Sequence, residues 1–153
     1  MVKLHPLAAL TASLLGTANA FPNLPFVADG PQIIDTNGAA VKLAGTNWPG
    51  HGGVMVPEGL QYQSIQTIVS DIKSLGMNVV RLTYAIQMID QIYDNDGDDI
   101  DLQTAFVDAL GDDNGTSVLA AVLANNPQFT ESTKRLEVRV WRHGRVWHPV
   151  ILC

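Results

Sequence analysis

Cysteine is almost missing from this chain. Of 153 residues only Cys153, the last, carries a thiol, so no disulfide can form within the chain and stability has to come from a packed core. Long apolar runs are missing as well, and no stretch approaches the roughly 20 residues needed to span a bilayer. Positive charge is missing from the whole middle section: no Lys or Arg lies between Arg81 and Lys134, whereas Asp90, Asp94, Asp96, Asp98, Asp99, Asp101, Asp108, Asp112 and Asp113 all do. With a net charge of −6, such a surface repels phosphate backbones and argues against nucleic acid as a partner.

What is there begins with an export signal. Lys3 in a short leading region, an apolar run over residues 7–15 and Ala18-Asn19-Ala20 as a small-x-small cleavage site make residues 1–20 a secretory signal peptide by pattern. The mature chain is expected to begin at Phe21, to be soluble and extracellular, and to have no membrane association once the signal is removed.

Residues 21–31 are proline-rich and expected to be extended. Gln32-Ile33-Ile34-Asp35, the turn residues Thr36-Asn37-Gly38 and a return through Val41-Lys42-Leu43 predict a β-hairpin, because Asn-Gly between apolar runs favours the tight turn that joins antiparallel strands. The return strand leads into Ala44-Gly45-Thr46-Asn47-Trp48-Pro49-Gly50 and then a glycine-rich loop over residues 51–59. Ile65, Ile68, Val69, Ile72 and Leu75 recur at helical spacing from Ser64 onward, and Gly76 supplies the left-handed residue that stops a helix. Met77 to Leu82 reads as a parallel strand covered on both faces, which completes a βαβ unit.

Arg81 is the anomaly in that strand. A guanidinium in a buried strand cannot shed its charge and needs a carboxylate or carbonyls to face. It is either a structural arginine in a core ion pair or a site residue, since sites in α/β proteins are built at this end of the strands.

The run Ile33-Ile34-Asp35-x-Asn37-Gly38-x-x-Val41-x-Leu43-x-Gly45-x-Asn47-Trp48-x-Gly50, followed by Ile72-Lys73-Ser74-Leu75-Gly76-Met77-Asn78-Val79-Val80-Arg81-Leu82, resembles the amino-terminal part of a cellulase-type glycoside hydrolase of family 5, of the secreted fungal-like endoglucanase kind. The likeness continues through Asp90-Gln91-Ile92-Tyr93 and Asn126-Pro127-Gln128-Phe129-Thr130 to about Glu137. The resemblance implies an α/β fold, here the amino-terminal fragment of a (β/α)8 TIM barrel preceded by a β-hairpin, and a parent activity of retaining hydrolysis of β-glucosidic bonds in polysaccharides such as cellulose. It implies no cofactor and no metal, a β-glucan or related polysaccharide as partner, and a monomer. Arg81 matches the family's arginine at the end of the second barrel strand, implied to hydrogen-bond the nucleophilic glutamate. Its physical use is plain: a fixed cation within about 4 to 6 Å keeps a desolvated carboxylate ionised.

Asn47 and Trp48 match the top of the first barrel strand. Trp48 is either a sugar-stacking platform or a packing aromatic, and His51 either a donor to a sugar hydroxyl or a solvated loop residue. Glu58 lacks an evident second carboxylate. Asp94 to Asp101 invites a calcium reading, but glycine falls at position 4 and Ala105 at position 12, so the EF-hand pattern fails and a solvated acidic loop is expected. Asn114-Gly115-Thr116 is a glycosylation sequon, expected in an exposed loop. Residues 102–110 and 118–123 are short helical candidates, and another helix is expected to begin near Thr130.

From Arg139 to Cys153 the composition turns basic and aromatic without a clean period, so the barrel fragment is expected to occupy residues 21–138 and residues 139–153 to be an anomalous tail, either a frame error or a genuine basic extension. Retaining hydrolysis needs two carboxyl groups about 5 to 5.5 Å apart. The family's Asn-Glu-Pro pattern does not occur in this sequence, and Glu131 and Glu137 sit in helical context. Catalytic residues are therefore expected to be absent and the chain inactive, with Arg81 a supporting residue. A non-catalytic carbohydrate-binding module or interaction protein is the alternative.

Overall fold

The computed structural model describes residues 23–140 and 151–152. The signal-like segment and most of the basic tail lie outside those residues. The described chain is a mixed α/β arrangement of two small sheets and five helices.

The first sheet is an antiparallel pair, β1 (Val27–Asp29) and β2 (Gln32–Ile34), in register Val27 with Ile34 and Asp29 with Gln32. This corrects the expected hairpin. The Asn37-Gly38 turn does form, but its return is a single bridge from Ile34 to Ala40 plus the Val41 N–H on Ile33 O at 2.8 Å. The strand partner of β2 comes instead from the proline-rich leader. Asp35 is the reason the ladder stops: its buried carboxylate accepts the N–H of Asn37 and of Ala39, both at 2.9 Å, and that of Asn23 at 3.1 Å. These donors satisfy the anion locally and curl the backbone away from a strand. The Ala39 N–H foremost, and then that of Asn23, hold the Asp35 carboxyl below its ordinary range against the opposing effect of burial.

The second sheet is parallel, in the order β3 (Gly45–Trp48), β4 (Val79–Leu82), β5 (Ile151–Leu152). Helix α1 (Ile65–Ser74) joins β3 to β4, as its apolar spacing predicts. Ser64 caps it by accepting from the Thr67 N–H at 3.1 Å, and Gly76 leaves it at φ +79° with its N–H on Lys73 O at 2.9 Å. Ile65 is buried and Ile68, Val69 and Ile72 pack against the core, but Leu75, at the C-cap, is 73% exposed. Asn78 ties the start of the two strands together, accepting from the Ala44 N–H at 2.9 Å and donating to Lys42 O at 2.8 Å.

Strand β4 is not covered on both faces, and Arg81 is not buried. Val80 and Trp48 are core residues and Leu82 packs against the same cluster, whereas Gly45, Asn47 and Arg81, which alternate with them, are exposed. The apolar run reads as doubly buried in sequence. Among the described residues only one face has helices to cover it.

Helices α2 (Ile86–Asp94), α3 (Leu102–Leu110), α4 (Asp112–Asn125) and α5 (Arg135–Val140) follow. Gly111 ends α3 and begins α4, so α4 starts six residues before the expected helical segment and takes the sequon into its amino end. The sequon is therefore helical, not a loop. Asp112 and Asp113 suit a helix amino end, and a Cβ at Gly115 would lie 2.5 Å from Phe106 O, so α4 approaches α3 as closely as backbones allow. The core joins Trp48, Val56, Leu60, Ile65, Val80 and Phe106 with Leu119, Val122, Phe129 and Val138. Asn126, fully buried, holds three parts of it: it accepts from the Ile65 N–H at 2.9 Å and donates to Val122 O at 3.0 Å and Leu60 O at 3.4 Å.

The acidic loop is only partly solvated. Asp99 is buried and paired with buried Arg135, whose Nε donates to Asp99 Oδ1 at 2.8 Å. Nη2 of Arg135 stands 2.6 Å from the same oxygen, off the hydrogen-bonding direction, and gains the charge attraction alone. Gln91 Oε1 accepts from Nη1 at 2.8 Å, and Asp99 Oδ2 accepts from the Leu136 N–H at 2.8 Å. Such added hydrogen bonds offset part of the cost of taking two charges out of water.

Candidate functional site

The carboxyl ends of β3 and β4 bring together part of the set singled out in sequence. Asn47 stands in register with Arg81, and the two side chains occupy the open face of the sheet near the strand ends. The Arg81 side chain makes no hydrogen bond or ion pair to another described residue. A solvated guanidinium without a side-chain partner among the described residues can receive an anion here. A carboxylate brought against that face would gain a charge-assisted, two-pronged hydrogen bond.

Thr83, just past β4, joins this end to the loop after β3. Its N–H donates to Trp48 O at 3.2 Å, its Oγ1 accepts from the Gly50 N–H at 3.2 Å, and the same hydroxyl lies 2.7 Å from His51 Nδ1. His51 is exposed and thus held by Thr83 at the rim, two residues along from Arg81. Trp48 is not part of that rim. It lies on the helix-covered face, 9% exposed, with its indole N–H donating to Glu58 O at 2.8 Å, and this gives it the packing role of the two open to it. Glu58 is exposed; a Cβ at Gly52 would lie 3.1 Å from its Oε1, so its carboxylate hangs over the same loop.

Two residues missed in sequence hold this end in shape. Arg139, half-buried on α5, donates from Nη1 to Thr83 O at 2.9 Å and from Nη2 to Met55 O at 2.9 Å and to Gly50 O. It binds both strand-end loops through neutral carbonyls, with no carboxylate paired to it among the described residues. Burial foremost, and then the charge of Arg135, hold it below the ordinary arginine range, with Asp99 pulling the other way. Arg135, one helical turn earlier, reaches the same loop through Met55 Sδ at 3.3 Å. The readable signal was their i, i+4 spacing immediately after a long stretch without cations. The expected boundary at residue 138 divided the pair.

Elsewhere an open groove of about 620 Å3 runs past Asp101, Gln103, Thr104, Phe129, Thr130 and Glu131. Its polar groups are largely spent on each other: the Thr104 N–H donates to Asp101 Oδ1 at 2.8 Å and the Gln103 N–H to Glu131 O at 3.1 Å. Thr130 N–H likewise donates to Thr133 Oγ1 at 2.8 Å. Among the described residues no three His, Cys, Asp or Glu side chains are grouped as metal ligands.

No family model matches the chain. A "Glycosyl hydrolase 5 family protein" of Chamaecyparis obtusa is 45% identical to it over 77 residues, which make up 50% of this chain and 14% of that relative. The match supports glycoside hydrolase ancestry, in family 5, for that half of the chain. The chain spans only about one seventh of the relative's length.

Proposed function

We propose that this polypeptide is the amino-terminal part of a family 5 glycoside hydrolase, with β3, α1 and β4 as the first units of a (β/α)8 barrel. The observation that carries the reading is the Asn47–Arg81 pair, set in register on the face of a parallel sheet that no described helix covers. In a closed barrel that face turns inward, and the carboxyl ends of its strands carry the chemistry. The parent reaction is retaining hydrolysis of β-glucosidic bonds, in which Arg81 steadies a carboxylate nucleophile and Asn47 and His51 line the sugar-facing rim. In such a site the reaction needs a second carboxyl group as acid and base, at about 5 to 5.5 Å from the first. The family's Asn-Glu-Pro pattern does not occur among the 153 residues, and in this reading the chain alone does not hydrolyse. In this reading the chain acts as an exported monomer, with a polysaccharide as its parent's substrate.

The test is a chimera in which the matched residues of this chain replace their counterparts in the Chamaecyparis relative, assayed on a soluble β-glucan beside the 153-residue chain alone. The chimera is expected to release reducing sugar, its Arg81→Ala variant to lose about 100-fold in turnover as sites do when one fixed electrostatic partner is removed, and the chain alone to release none. Hydrolysis by the chain alone, or an active chimera indifferent to Arg81→Ala, would refute the proposal. A carbohydrate-binding sandwich is not favoured, since five helices and parallel strands build the described fold.

A further inference from the structure

The sequence Asn114-Gly115-Thr116 satisfies the acceptor pattern for N-linked glycans, and it lies at the amino end of α4 with Asn114 and Thr116 exposed and Gly115 buried. Transfer to such a site forms a bond between Asn Nδ2 and C1 of the sugar. The donor, a lipid-linked diphosphate oligosaccharide, loses its C1–O bond, the diphosphate departs with the electron pair, and the amide gives up one proton. An amide is a poor nucleophile. The acceptor pattern requires the asparagine and the hydroxyl two residues on to be presented together, as a surface loop presents them.

A helix forbids that approach. At 3.6 residues per turn, side chains two apart project about 200° from one another, so Thr116 points away from Asn114 while α4 is formed. Local fraying is opposed as well: the Gly115 N–H donates to Gly111 O at 2.7 Å, and the α carbon of Gly115 rests where a Cβ would strike Phe106 O at 2.5 Å and Val107 Cα at 2.8 Å. Freeing the sequon means parting α4 from α3. Asn114 itself is exposed, so a glycan attached there does not enter the contact between α3 and α4.

We propose that Asn114 is an N-glycan acceptor open only before α4 packs onto α3, so that folding itself closes the modification site. The proposal does not depend on glycosidase ancestry.

The experiment incubates the purified full chain with solubilised oligosaccharyltransferase and a lipid-diphosphate oligosaccharide. Beside it runs Leu119→Asp, which places a charge at a buried position of α4 and leaves the sequon intact. The variant is expected to be modified about tenfold faster or more than the native chain, because the difference reads how seldom α4 opens. The added mass should be removable by an N-glycosidase and absent from Leu119→Asp/Asn114→Gln. A native chain modified as fast as Leu119→Asp would overturn the claim that packing closes the site. An unmodified Leu119→Asp chain would overturn the claim that Asn114 is an acceptor.

Discussion

Gly45 shows how little room the pairing of β3 with β4 leaves. A Cβ there would lie 2.3 Å from Val79 O, a backbone atom that cannot step aside without breaking the register that sets Asn47 beside Arg81. Gly45→Ala is expected to cost about 1–3 kcal/mol, the usual penalty of overpacking, read as a lower urea midpoint. The Asp99–Arg135 pair makes a sharper case, because both partners are buried and hydrogen-bonded at every polar side-chain atom except Arg135 Nη2. Asp99→Asn strands a buried guanidinium and is expected to cost about 3–5 kcal/mol by denaturant unfolding. Replacing both partners, as Asp99→Leu with Arg135→Met, should cost clearly less than the single change. A double variant as unstable as the single would show that shape, not charge, makes the contribution.

At the scale of elements, α3 and α4 depend on the close approach at Gly115 as the sheet depends on Gly45. Gly115→Ala is expected to lower the melting temperature and to speed amide exchange in α4 more than in α1; uniform acceleration across both would contradict the contact. The same comparison shows what was legible in the sequence. Helix α1, its stop at Gly76, α3 and strand β4 were readable because periodicity and a glycine stop are local facts. The amino-terminal half of α4 was not, since its helicity rests on a turn at Gly111 and on packing against Phe106. The partner of β2 was missed because Asp35 gathers backbone donors from both sides in a way no alternation pattern records. The arginines of α5 were passed over because their partners lie 36 to 89 residues away in sequence. At the site, residue types and order pointed to Asn47, Arg81 and His51. Which face of the sheet each occupies, and so the packing role of Trp48, came only with coordinates.

For the molecule as a whole, two carboxylates make stability pH-dependent. Asp35, held down mainly by the Ala39 N–H, and Asp101, held down mainly by the Thr104 N–H, both have folded pKa values below the ordinary 3.8. A lowered folded pKa means the contribution is complete above about pH 4 and is lost as pH falls through the folded value. The melting temperature should therefore drop below pH 4 and do so less steeply in Asp35→Asn/Asp101→Asn; equal slopes would contradict both assignments. The larger feature is the open sheet face, where Arg81 stands without a described partner in a chain of net charge −6.

The most direct measurement of what that arginine is for is the pH dependence of kcat/KM in the hydrolytic chimera, with Arg81 and with Arg81→Met. If Arg81 keeps a facing carboxylate ionised, its loss moves the acid limb of the profile upward, toward higher pH, as the nucleophile regains its proton. An acid limb that stays in place while activity falls would contradict the account.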